Sequence, residues 1–473
     1  MTLTSPRADP DVSGTANPTT ILVVLLAAGV SFALTQTIVL PALAVLGQEF
    51  GASVTATSWV VTGFLLSASV STPIIGKLGD VYGKGKVLTV VLALFALGGT
   101  INALAGSIEQ VIAGRVLQGV AGGVFPLSFG IIRDTFPRER VPGAISLVSS
   151  VFGVGAGIGL PLSGVIVDHT HPSVVFWISL VAVPAALAAY FVIPQTPTVK
   201  GMRIDWTGAL LLSAAMAMLL LGVTQAPSLG WGSPGNVGLL LGGAALLVAW
   251  VKVEQRVDQP LIELGVLRQR AVLMTNVVGL LTGLALFSGF LLIPQIAQAP
   301  ESTGYGLGAS VTVAGLLLAP SAVGQLVAGP VAGRLGVRLG FRTTLLIGSL
   351  LSFSAFALLA VLHDRAWHLV VGGLLLGMGI AFAFASMANL IVAAVEQSEV
   401  GIATGINTVT RTIGGAFGAA IATAVLASTI GADGLPSAGG YRLAFGLAAA
   451  MALLAAAASL RVPRQAAAEA PQG

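Results

Sequence analysis

The chain has 473 residues, 55% of them apolar and 8% charged, with a mean hydropathy of +0.96. A soluble domain carries about 25% charged residues, so this composition cannot cover a water-facing surface, and soluble enzymes, coiled coils and disordered chains are excluded. The net charge of +4 is not gathered into basic runs, which leaves no nucleic-acid footprint, and with no cysteine there is no disulfide, thiolate metal site or cysteine nucleophile.

A bilayer core about 30 Å thick takes about 20 mostly apolar residues per helix. Residues 1–19 are polar and rich in Pro, Gly, Ser and Thr, and read as a disordered tail, so the first span itself is the membrane-targeting segment. Apolar stretches then predict fourteen spans: 20–45, 56–76, 87–106, 110–132, 142–167, 174–193, 205–225, 236–252, 271–297, 310–332, 343–362, 367–390, 401–427 and 442–461. Residues 463–473 form a second tail. Of the 22 Lys and Arg, Arg115 and Arg411 fall inside spans; only Arg365 and Arg442 lie on the side reached after odd-numbered spans, and the other eighteen lie opposite. Lys/Arg excess marks cytoplasmic loops, so both termini are expected in the cytoplasm of a multi-pass cell-membrane protein.

The segment Pro73-Ile-Ile-Gly76-Lys-Leu-Gly79-Asp80-Val-Tyr-Gly83 returns 257 residues later as Pro330-Val-Ala-Gly333-Arg-Leu-Gly336-Val-Arg-Leu-Gly340. Gly143 and Gly157 are echoed by Gly401 and Gly415 at an offset of 258. Chance similarity among glycine-rich helices is the plain alternative, but Pro, Leu and a basic residue also hold register. The expected architecture is all-α: a six-helix bundle over 20–193, a linker over 194–270 carrying spans 7 and 8, and a second six-helix bundle over 271–462. Same-orientation halves of this kind belong to transporters, with the substrate site between them near the midplane.

In chain order, the first span holds Leu34-Thr35-Gln36-Thr37-Ile38-Val39. The second ends in Gly76-Lys-Leu-Gly79-Asp80-Val-Tyr-Gly83-Lys84-Gly85-Lys86, where glycines permit a reversal and close helix approach and Asp80 can pair with Lys84, Lys86 or Arg133, Asp134 lying beside the last. The fourth holds Arg115-Val-Leu-Gln118-Gly119. An arginine at membrane depth costs roughly 2.5–3.5 kcal/mol on insertion scales, so it needs partners inside the bundle, and Gln118 shares its helix face. Either it lines a cavity or backbone carbonyls satisfy it. The fifth span carries Gly153, Gly155, Gly157, Gly159, Pro161 and Gly164, small residues that let helices approach or slide. The thirteenth places Asn407 and Arg411 on one face. Two buried cations with no central acid suit an anionic or hydrogen-bond-accepting substrate; pairing with Gln36, Gln118, Gln325 and backbone oxygens is the equal alternative.

These segments resemble motifs A, B and C of the major facilitator superfamily, and the helix count resembles its fourteen-helix drug:proton antiporter branch. Motif A departs from the family form at Val81 and Gly85, and motif C has its pairs displaced to Gly159-Leu-Pro161 and Ser163-Gly164. Thr35 stands where that branch usually has a membrane-embedded aspartate. The resemblance implies a secondary transporter that exports small lipophilic compounds by alternating access, coupled to proton entry. It also implies a cytoplasmic latch at Gly76, Asp80, Gly83, Lys84, Lys86, Arg133 and Asp134, and substrate or coupling roles for Thr35, Gln36, Arg115, Gln118, Gln325, Asn407 and Arg411. No Asp or Glu sits near the middle of a span, which leaves an exporter of lipophilic anions or lipids as the alternative, and a non-transporting scaffold or sensor as one of another class. No cofactor, metal or ATP is expected, since the glycine-rich loop lacks the spacing of a phosphate loop. The partners are substrate, protons and the bilayer, with a single chain as the working unit.

Overall fold

The computed structural model describes residues 17–194, 205–260, 262, 264–431 and 434–463. Among them the regular structure is helical, with one isolated bridge between Ile430 and Pro436. Helix α1 spans Pro18–Glu49, α2 Val54–Tyr82 and α3 Lys84–Ala103. Helix α4 runs over Ile108–Thr135 and α6 over Val174–Val192, each interrupted by one 3-10 turn, with α5, Val141–His169, between them. Then come α7 Trp206–Leu229, α8 Pro234–Glu254, α9 Arg270–Gln298, α10 Val311–Leu339 and α11 Phe341–Val361. The chain closes with α12 Ala366–Ala394, α13 Val400–Ala427 and α14 Ala438–Ser459. Thirteen of these, all but α5, are long and apolar enough to cross a bilayer; α5 is a 29-residue helix whose described apolar stretch is Val141–Val151.

The expected tails 1–19 and 463–473 lie almost wholly outside the described residues. Where the first is described, α1 already starts at Pro18, because Asn17 accepts the Thr19 N–H at 2.9 Å and caps the helix. A larger correction concerns the expected ends of the second and tenth spans at 76 and 332. Helix α2 continues to Tyr82 and α10 to Leu339, so most of each repeated segment is helix and not loop. The reversal takes one residue in each copy, Gly83 at φ 97° and Gly340 at φ 85°, a backbone conformation that side chains disfavour. Those two glycines are themselves related by the repeat, and we call this the glycine-turn end of the molecule.

Packing repeats as well. In the first half, α1 lies on α5, α2 on α4, α3 on α4 and α6, and α1 on α6. The second half makes the same pairs eight helices later: α9 on α13, α10 on α12, α11 on α12 and α14, and α9 on α14. Two seams join the halves, α5 against α10 and α2 against α13, and these also exchange under the repeat. Helices α7 and α8 pack on each other, with α7 against α2 and α13.

Small residues set the seams. A Cβ on Gly76 would lie 2.7 Å from the Gly401 backbone, so α2 and α13 touch there main chain to main chain. The repeat-related Gly333 of α10 faces α5 in the same way, a Cβ there meeting Ser146 Oγ at 2.9 Å and Gly143 Cα at 3.5 Å. The first half is filled by Phe32, whose ring lies 5.6 Å from Phe64, 6.4 Å from Phe95 and 6.1 Å from Phe125. Leu345, Phe356, Leu359 and Phe445 serve the second half.

Candidate functional site

Between the halves lies a small pocket of about 20 Å³. Helix α4 contributes Phe125 and Phe129, α5 Ser149, α12 Phe384 and Ala388, and α13 Thr404, Asn407, Thr408 and Arg411. The Arg411 guanidinium sits 4.0 Å over the Phe384 ring, a stacking that holds a cation beside an aromatic wall. Asn407 donates to Asn276 Oδ1 at 3.0 Å, tying α13 to α9. The pocket thus offers a guanidinium, amide and hydroxyl groups and three phenyl rings, with no acidic residue in its lining. A larger groove beside Tyr82, Lys86 and Tyr190 opens on the outer face of α3 and α6, where Tyr190 is 67% exposed, and it touches neither seam.

At the glycine-turn end, Lys84 Nζ lies 3.1 Å from Asp80 Oδ1 and 2.9 Å from Asp134 Oδ2. All three side chains are buried, so the single lysine charge is shared between two carboxylates with little solvent screening. Of the partners open to Asp80, the fold selects Lys84; Lys86 is exposed and Arg133 turns elsewhere, donating to the Glu396 carbonyl at 3.3 Å. Asp134 also accepts from Gln397 Nε2 at 2.6 Å. The first half's ion cluster therefore grips the connection between α12 and α13 in the second half. Asn389 of α12 adds a bond to Ser146 Oγ of α5 at 3.1 Å. The second copy of the repeat holds Val337 and Phe341 in place of Asp80 and Lys84, so the second half has no counterpart of this ion pair.

Arg115 is fully buried inside the first half and is not among the residues lining the pocket. It donates to the Val60 carbonyl at 3.2 Å, the Thr35 carbonyl at 3.1 Å and Gln118 Oε1 at 3.2 Å, and lies 4.1 Å over Phe64. Asn102 donates to the same Gln118 oxygen at 3.0 Å. The shared face of Arg115 and Gln118 was legible; the turn of that face toward α1 and α2 was not. Glycines bring those helices close, a Cβ on Gly119 meeting the Phe64 carbonyl at 2.6 Å. Gln325 on α10 is buried away from the pocket, and Gln36 is half-buried on α1.

On α5, Gly155 and Gly159 pack against α1, and Thr37 donates to the Gly155 carbonyl at 2.6 Å. Gly164 meets α10 instead, where its Cβ would sit 2.7 Å from Thr312 Oγ1. Pro161 lies inside this helix, half-buried. Gly153 and Gly157 belong to the same helix but outside the residues whose burial is described. Sequence reasoning missed Phe384 and Gln397, neither of which sits in a local pattern: Phe384 matters through Arg411 on the next helix and Gln397 through Asp134 in the other half.

The model of the Major Facilitator Superfamily matches residues 25–306 and 276–473. The chain is 29% identical over 404 residues to the tetracenomycin C resistance and export protein of Streptomyces glaucescens, covering 84% of this chain and 74% of that one. It is 30% identical over 374 residues to the uridine/deoxyuridine transporter of Lactococcus lactis, covering 76% of each. Among solved structures, the human organic anion transporter MFSD10 superposes with a TM-score of 0.64 at 17% identity, covering 94% of this chain and 100% of that one, a likeness of fold. The chain belongs to the major facilitator superfamily: a multi-pass plasma-membrane transporter and not an enzyme.

Proposed function

We propose that this protein exports small lipophilic compounds from the cytoplasm or inner leaflet by alternating access, driven by proton entry. In this reading the chain has fourteen spans, cytoplasmic termini and a cytoplasmic glycine-turn end, and one chain is the working unit. The carrying observation is the pocket between the halves, walled by Phe125, Phe129 and Phe384 and lying beside seams made of glycine and serine. Small residues at a seam let two rigid bundles re-pack with little side-chain rearrangement. The ion cluster of Asp80, Lys84 and Asp134 with Gln397 then fastens the cytoplasmic side in one state and releases it in the other. The tetracenomycin C exporter among its relatives supports the direction of transport.

A second reading, export of lipophilic anions without a membrane-embedded carboxylate, is favoured by Arg411 in a pocket lined by no acid. Both are tested in inverted membrane vesicles offered a cationic, a neutral and an anionic aromatic compound. The first predicts uptake that needs an acid interior and collapses with a protonophore. Uptake of the anion alone, indifferent to the pH gradient, would establish the second reading and refute the first. Uptake of none of the three would refute both.

A further inference from the structure

We propose that the interior of the N-terminal half holds a binding site for one small inorganic anion of the halide type, built on Arg115 and Thr35. Arg115 is wholly buried, and a guanidinium is a cation at neutral pH. Its described partners are two backbone carbonyls, one amide oxygen and a phenyl face, all neutral. Such dipoles satisfy hydrogen bonds but leave the charge uncancelled. The buried acids of the same half, Asp80 and Asp134, are engaged with Lys84, and Asp80 lies about 30 Å along α2 from Val60 at ~1.5 Å per residue.

A second observation points to the ligand. Arg115 Nη2 is buried and has no partner, and so is Thr35 Oγ1, whose residue already takes a hydrogen bond from Arg115 Nη1 on its carbonyl. Gln118 Nε2 is a third buried donor without a partner in the same linked group. A guanidinium edge and a hydroxyl offer donors and a net charge of +1. A monovalent, nearly spherical anion accepts from both and cancels that charge, whereas a water molecule would leave it. A carboxylate at position 35 would do the same from within the chain, which makes Thr35 the residue that leaves the site open to an ion. The inference is independent of what the pocket beside Arg411 carries.

The test uses the full-length protein in lipid nanodiscs, with sodium gluconate replaced stepwise by chloride or bromide at constant ionic strength. Thermal unfolding should shift upward with halide, by roughly 2 °C per tenfold increase beyond the dissociation constant. Thr35→Asp should abolish the shift, and Thr35→Asn, which adds no charge, should preserve most of it. Chloride NMR line broadening of the wild-type protein, displaced by bromide and saturating at one ion per chain, reads the site without any variant. Equal unfolding temperatures in gluconate and chloride, a Thr35→Asp protein as halide-sensitive as wild type, or no displaceable broadening would each overturn the proposal.

Discussion

Lys84 sits between two carboxylates that come from different helices, and only one of them, Asp80, is within its sequence neighbourhood. That single position shows what a sequence can and cannot carry at this scale. The spacing of Asp80 and Lys84 makes their contact readable even across the turn; Asp134 is 50 residues further on, and Gln397, which bonds to it, another 263. Arg115 repeats the lesson: Gln118 is three residues away, but Val60 and Thr35 are 55 and 80 away. Replacing Asp80 by Asn removes one of two counter-charges on a buried lysine. Orphaning a buried ion altogether costs about 3–5 kcal/mol, and Asp134 remains, so a stability loss of about 1–2 kcal/mol is expected. Membrane insertion should persist while flux falls several-fold. Membrane-fraction yield, unfolding and substrate flux check this together, and wild-type flux in the variant would contradict the latch.

At the scale of helices, apolar runs located every described span, while the ends of α2 and α10 ran beyond them. Charge and glycine in the Gly76–Gly83 segment read as a loop because an isolated segment with that composition would be solvated. In the folded chain Asp80 is matched by Lys84, and glycines are needed for contact with α13, so the helix persists up to the one residue whose φ is positive. Repeat-related Gly83 and Gly340 offer a matched pair of substitutions. Alanine at either should cost about 1–3 kcal/mol of backbone strain. Only Gly83→Ala should also depress transport, because it alone displaces Lys84 from Asp80 and Asp134; at the other turn Phe341 has no such partners. Equal flux in both variants would argue that the cluster is structural only.

For the molecule as a whole, the duplicated sequence segment foretold a duplicated pattern of helix contacts, and the two seams exchange under it. What it could not foretell is where two seam-crossing halves leave empty space, since that depends on Phe125, Phe384 and Arg411 meeting from three helices. The account stands on the glycine-turn end opening and closing once per transport cycle. Because the chain contains no cysteine, Arg133→Cys and Glu396→Cys can be joined across the seam by a cleavable bifunctional maleimide. The account predicts that the linked protein carries no substrate and that cleaving the linker restores flux to that of the unlinked double variant. Undiminished transport by the linked protein would contradict it.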